Sequence, residues 1–192
     1  MDYSQWVSWG AVLFNIAYVI LAAQRNVFCW PVGIVGLMLS LVVYVEARLF
    51  SDATLQVSYL VMSIYGWYMW YRIQSKPFVI QHANLKLHAK ILMTGTLAGL
   101  GMGWFWHQFG ADLPYLDGLT TSFSLIATWL TARRYLQSWI YWIFIDFICI
   151  GIYFHKGIVA FVVLFVVYTL LAFWGYRKWQ NYSKSEINLI HN

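Results

Sequence analysis

Residues 136–155 read LQSWIYWIFIDFICIGIYFH, a run in which one formal charge, Asp146, stands among isoleucines and aromatic rings. About 20 mostly apolar residues is the length of helix that crosses the hydrocarbon core of a bilayer. Inside that core a segment must satisfy its own backbone hydrogen bonds, and a run this apolar does so as a helix. The reading extends in both directions along the chain. Further runs of similar character lie at 6–23, 27–45, 54–71, 89–107, 117–132 and 157–176. Together these runs predict an all-α integral membrane protein with seven transmembrane helices.

Composition agrees. Of 192 residues, 61% are apolar and 10% charged, whereas a soluble domain of average composition carries about 25% charge. Twelve Lys and Arg with seven Asp and Glu are too few to solvate a globule of this size. A soluble enzyme and a disordered protein are thereby excluded. The net charge of +5 does not suggest a nucleic-acid partner, because the basic residues fall between apolar blocks and never gather into a stripe. Cys29 and Cys149 cannot build a disulfide framework or a four-cysteine metal site, and neither metal nor cofactor is expected. Asp2 and the lack of a basic leading region argue against a cleavable signal peptide.

Loop charges orient the chain. Seven spans put the termini on opposite sides. One side carries Arg48 and Lys156; the other carries Arg25, Arg72, Lys76, Lys86, Lys90, Arg133, Arg134, Arg177, Lys178 and Lys184. The positive-inside rule then places the amino terminus outside and the carboxyl terminus in the cytoplasm. The segment 72–88, with Pro77, His82 and His88, reads as a solvated cytoplasmic linker. Trp6, Trp9, Trp104, Trp106, Trp174 and Trp179 read as an interfacial aromatic belt. Pro31, Gly33 and Gly36 suggest a kink or close packing in the second span.

The chain also matches itself 109 residues on. Ala22-Ala23-Gln24-Arg25 aligns with Thr131-Ala132-Arg133-Arg134, Phe28-Cys29-Trp30 with Gln137-Ser138-Trp139, and Tyr44 with Tyr153. Spans 1–3 then repeat as spans 5–7, with span 4 as connector. Three spans reverse the chain and the connector reverses it back, so the two halves are parallel. This 3+1+3 plan divides the chain into a first repeat (1–72), a linker with connector helix (73–116), a second repeat (117–176) and a cytoplasmic tail (177–192).

Within the predicted spans Asp146 is the one charge at depth. A carboxylate there costs at least about 2.5–3.5 kcal/mol, so it faces water, meets a ligand, or is protonated against a neighbouring helix. One turn apart on its helix lie Trp139, Trp142, Asp146, Cys149 and Tyr153. Indole faces attract a delocalised cation. Span 5 presents Thr121, Ser124, Thr128 and Thr131 at the same spacing, although such hydroxyls also bond back to their own helix. Asn15 sits at mid-depth in span 1, as a contact or as interhelical glue. Gln56, Tyr59, Ser63 and Trp67 share a face of span 3.

Certain stretches resemble a known family. Tyr65-Gly66-Trp67-Tyr68-Met69-Trp70 resembles the YGWYxW signature of PnuC-type vitamin transporters. Residues 137–146 resemble their sixth-span segment, and Trp30-Pro31-Val32-Gly33-Ile34-Val35-Gly36 is similar to their second span. The resemblance implies a SWEET-like fold, a homotrimer in the bacterial inner membrane, and facilitated diffusion of a vitamin trapped inside by phosphorylation. Members that carry nicotinamide riboside have Asn where this chain has Asp146. The form Trp142-x-x-x-Asp146 looks like the thiamine branch, and a carboxylate accepts charge-assisted bonds from an aminopyrimidine. Thiamine is thus the expected permeant, with nicotinamide riboside as the alternative. Asp146, Trp142 and Trp139 would make the main contacts, and Gln56, Tyr59, Ser63, Trp67, Asn15, Ser124 and Tyr153 lesser ones. A retinal protein would need a lysine in the last span, which has none. A membrane enzyme would need a base or second acid beside Asp146. No phosphate-binding loop suggests ATP-driven transport.

A reporter that fluoresces only in the cytoplasm, fused to the carboxyl terminus, should light up, and the same reporter on the amino terminus should stay dark. The reverse pattern would overturn the charge assignment.

Overall fold

The computed structural model describes residues 3–46, 50–73 and 78–191. Arg48, Lys76 and Pro77, used above to orient the chain and read its linker, lie outside the described residues. Among the described residues there are seven helices: α1 (Tyr3–Ala23), α2 (Cys29–Glu46), α3 (Phe50–Tyr71), α4 (Leu85–His107), α5 (Pro114–Ala132), α6 (Ser138–His155) and α7 (Val159–His191). They match the expected runs in number and order. Four segments, Trp6–Ala23, Cys29–Glu46, Ser138–His155 and Phe161–Ser185, are long and apolar enough to cross a membrane on composition alone. The helices α3, α4 and α5 carry more glycine and hydroxyl side chains, which dilute their apolar character.

Two boundaries differ from the sequence reading. The helix α7 runs through residue 191, so the stretch expected as a tail from 177 continues the last helix. Nothing between 176 and 191 stops it, since that stretch holds neither Gly nor Pro. Its Trp179 and Ser183, one turn apart, are both buried. Trp179 is therefore not a belt residue; its indole N–H donates to the Ala22 carbonyl at 3.1 Å. The helix α4 begins at Leu85, where the Asn84 side chain caps it by accepting from the Leu87 N–H at 2.9 Å. His88 consequently lies on a helix rather than in a linker.

The chain forms two compact units, residues 1–80 with 174–192, and residues 81–173. In the first, the expected softness of α2 proves to be close packing: Gly33 admits the ring of Tyr18, and Gly36 admits Asn15. On α3, Gly66 lies under the indole of Trp30, so that any Cβ would collide with the ring. Trp30 stands edge-on to Trp70 with centroids 5.5 Å apart, and Trp70 meets Phe78 at 4.7 Å. The YGWYxW stretch is thus in part a packing device: its Gly66 makes room for one indole, and its Trp70 packs against that indole.

In the second unit α4 lies along α5. Gly95, Gly99 and Gly103, four residues apart, form a seam against Phe123, Leu119, Ser122 and Tyr115. Gly118 of α5 faces the backbone of Gly99 and Gly103. Ser122 donates to the Gly95 carbonyl at 2.8 Å. Lipid provides no hydrophobic drive between apolar helices, so small residues that let backbones approach do that work. The connector helix of the sequence reading is therefore tightly packed. Its small-xxx-small pattern was readable in the sequence and was missed.

The loops joining α1 to α2 and α5 to α6 repeat one another bond for bond. Arg25 and Arg134, 109 residues apart, both adopt left-handed backbone, at φ 60° and 62°. Arg25 N–H donates to Ala22 O and Asn26 N–H to Leu21 O, each at 3.0 Å; Arg134 N–H donates to Thr131 O and Tyr135 N–H to Leu130 O, each at 2.9 Å. These are Schellman closures, with an arginine where glycine is usual. Each loop has its own clasp. In the first unit Trp179 bonds Ala22, and the Arg25 guanidinium lies 3.6 Å from the Tyr182 ring centroid. In the second, Gln81 pairs with the strand-like Tyr135: its N–H donates to Arg134 O and its carbonyl accepts from Leu136 N–H, both at 2.9 Å.

Replacing Gly66 by Ala should lower stability by about 1–3 kcal/mol, because the indole above it cannot withdraw without disturbing Trp70. Thermal unfolding in detergent reads this. Gly101→Ala, where a Cβ would meet nothing within 4 Å, should leave the midpoint where it is.

Candidate functional site

Asp146 occupies the third turn of α6, and 4% of its surface is exposed. Phe144 and Phe147, either side of it in sequence, point outwards. Its helix contributes Ile145 and Cys149 to a buried cluster with Ala127 of α5. Phe123, Tyr141, Trp142, Tyr153 and Phe165 pack around that cluster. The second unit thus gathers an acid, two indoles (Trp139 buried, Trp142 partly so) and a set of stacked rings at one helix. Tyr153 stacks on Phe165 at 5.4 Å and on Phe161 at 4.9 Å.

The hydroxyls of α5 divide. Thr128 donates to the Ser124 carbonyl at 2.8 Å and Thr131 to the Ala127 carbonyl at 2.9 Å, so both bond back to their own helix. Ser124 itself is buried. At the end of α6 away from the clasped loop, the Lys156 ammonium sits 3.6 Å from Asp112, an exposed pair of small energetic weight.

The residues expected from span 3 and span 1 fall in the first unit. Ser63 is buried, Tyr59 half-buried, and Asn15 lies against Gly36. The Gln56 side-chain carbonyl is buried with no hydrogen-bond partner among the described residues. Trp67 is 42% exposed, whereas Trp70 of the same motif is 4% exposed. Of the expected contacts, then, Asp146, Trp139, Trp142, Tyr153 and Ser124 lie on α5 and α6 of the second unit. Asn15, Gln56, Tyr59, Ser63 and Trp67 belong to the other unit.

One pairing escaped sequence reasoning. Nδ1 of His88 and the Tyr141 hydroxyl lie 2.9 Å apart, and the two rings stack with centroids 5.9 Å apart. His88 was expected to be solvated, as His82 was; His82 is exposed, but His88 is partly buried and bonded. The two partners are 53 residues apart on different helices, so no local spacing announces them.

Chemically the second-unit cluster combines an acid with aromatic faces. A carboxylate accepts hydrogen bonds and attracts positive charge, and the indoles present aromatic faces. Among the described residues no group of three His, Cys, Asp or Glu could hold a metal ion.

Comparison with known proteins places this geometry. The family model for Nicotinamide mononucleotide transporter matches residues 5–181. The chain is 22% identical to Nicotinamide riboside transporter PnuC of Escherichia coli (strain K12), over 92% of this chain and 85% of that one. It is likewise 22% identical to Riboflavin/roseoflavin transporter RibM of Streptomyces davaonensis, over 92% of this chain and 87% of that one. A crystal structure of the Vitamin B3 transporter PnuC superposes with a TM-score of 0.76 at 19% identity, covering 94% of this chain and 83% of that one. That likeness establishes a shared fold.

Proposed function

This chain belongs to the nicotinamide mononucleotide transporter family, a family of membrane transporters for small vitamins, and we propose that its own permeant is nicotinamide riboside. The expectation of thiamine gives way, because the relatives named above carry nicotinamide riboside or riboflavin in their names. The names of the relatives carry that choice of permeant, and Asp146, a buried acid on an otherwise apolar membrane helix, supports a cationic permeant of either kind. A carboxylate stays at such depth at lower cost when a cationic partner visits it. Nicotinamide riboside carries a pyridinium charge that suits both the acid and the faces of Trp142 and Trp139. Thiamine remains the second reading on one specific observation: Asp146 stands where the resembling nicotinamide riboside carriers have Asn, and a carboxylate is the better acceptor for an aminopyrimidine.

In this reading the chain moves its permeant down a gradient by alternating access. The two repeats of the 3+1+3 plan would rock against each other, trapping would follow by phosphorylation inside the cell, and the assembly would be a homotrimer. The matching Schellman loops 109 residues apart support the repeat.

Competition binding to the purified protein separates the permeants. Nicotinamide riboside should displace a labelled vitamin at lower concentration than thiamine or riboflavin. Displacement by thiamine alone would promote the second reading, and displacement by neither cation would end both. Asp146→Ala should weaken the bound cation by about tenfold or more, equivalent to about 1.4 kcal/mol. Unchanged affinity in a folded Asp146→Ala protein would remove the acid from the site.

A further inference from the structure

We propose that His88 is a positioning residue: through Tyr141 it sets the rotation of α6 about its own axis, and hence the direction in which Asp146 and Trp142 face. The inference rests on the reading of Asp146 as the anchor for the permeant.

The need for such a device follows from α6 itself. Between residues 143 and 152 its side chains are isoleucine and phenylalanine except at Asp146, Cys149 and Gly151. In water such a helix would be oriented by hiding its apolar face. In a bilayer, lipid is as apolar as that face, so apart from keeping Asp146 out of lipid, burial does not choose a rotation. The difference between orientations is nonetheless large: turning α6 by one residue, about 100°, would exchange Asp146, 4% exposed, for Phe147, 56% exposed. The direct contacts to α5, through Ala127, Ile145 and Cys149, are apolar too.

Polar contacts at the first turns of α6 can supply what burial does not. Gln137 accepts from the Ala83 N–H at 2.9 Å, but it precedes the helix and fixes its entry rather than its rotation. Tyr141 is different. Its hydroxyl stands at the tip of a long rigid side chain inside the helix, so a small rotation moves it far from a fixed partner. That partner is Nδ1 of His88, 2.9 Å away. The Tyr141 ring also lies nearly parallel to two others, His88 at 22° with centroids 5.9 Å apart and Phe123 at 11° with centroids 6.5 Å apart. His88 is itself fixed, because α4 is seated on α5 by the glycine seam and by the Ser122–Gly95 bond. Orientation therefore passes from α5 to α4, from α4 through His88 to Tyr141, and so to the face of α6 that carries the acid. His88 touches no permeant in this account.

The test uses the full chain in detergent with Cys29→Ser, a change to the residue found at the equivalent place in the second repeat, Ser138. Cys149, buried on α6, then reports rotation by its rate of alkylation with N-ethylmaleimide, whatever the permeant. Tyr141→Phe and His88→Phe keep the rings and remove the bond. Each should raise the Cys149 rate by about fivefold and weaken nicotinamide riboside binding. The double variant should do no more than either single one, because both remove the same bond. His88→Asn, whose amide reaches the position of Nδ1, should restore the slow rate. If the singles only lower the melting temperature, with Cys149 alkylation and affinity as in the parent below melting, the bond is structural and the proposal falls. Multiplying effects in the double variant would overturn it as well. Should the parent bind no cationic vitamin, the permeant assignment fails, and the Cys149 rates still decide whether His88 orients α6.

Discussion

A bilayer gives an apolar helix no reason to prefer one face over another. Helix positions here are therefore set by shape and by a small number of polar bonds. On the α4–α5 seam the shape is that of glycines, whose missing side chains let the backbones approach. On α2 and α3 it is the fit of Tyr18, Asn15 and Trp30 into the spaces left by Gly33, Gly36 and Gly66. Where the surface is isoleucine and phenylalanine, as over much of α6, that part is proposed to fall to polar groups near the helix end. The same constraint explains why one buried acid matters so much. Asp146 is buried among apolar side chains, so its presence has to be compensated by what it meets.

The two Schellman loops share a backbone and differ in what holds them. Their backbone bonds coincide, down to an arginine in the left-handed conformation of each. Their clasps do not. The first loop is held by the end of α7, through Trp179 and Tyr182. The second is held by the segment leading into α4, through Gln81 and Ala83. A left-handed arginine is an uncommon conformation, and in each loop a carbonyl is tied down from outside, Ala22 in the first and Arg134 in the second. Two segments that looked like a tail and a linker are thus parts of the packed structure.

Much of the plan was legible in the residues themselves. Span lengths, the order of helices and the offset of 109 follow from hydropathy and short matches, which are local properties. Asp146 was legible because one charge in a run of isoleucine and phenylalanine stands out whatever surrounds it. The comparisons confirm the family to which Gly66, Trp70 and the sixth-span segment pointed. The relatives compared are named for nicotinamide riboside or riboflavin; one carboxylate in place of an amide could not by itself separate nicotinamide riboside from thiamine, since both vitamins are cationic.

The sequence by itself determined that the chain belongs in a membrane, how many helices it makes, and which acid stands alone on an apolar helix. Only the tertiary structure decided that Trp179 is buried on Ala22 rather than lying in a belt, that Trp70 and not Trp67 is the packed tryptophan of its motif, and that His88 meets Tyr141. The physical reason is one of range. Insertion into lipid depends on the sum of neighbouring side chains along a single helix, which one sequence displays. The rotation and contacts of each helix depend on partners tens of residues away, and in an apolar solvent no periodicity of hydrophobic residues records them.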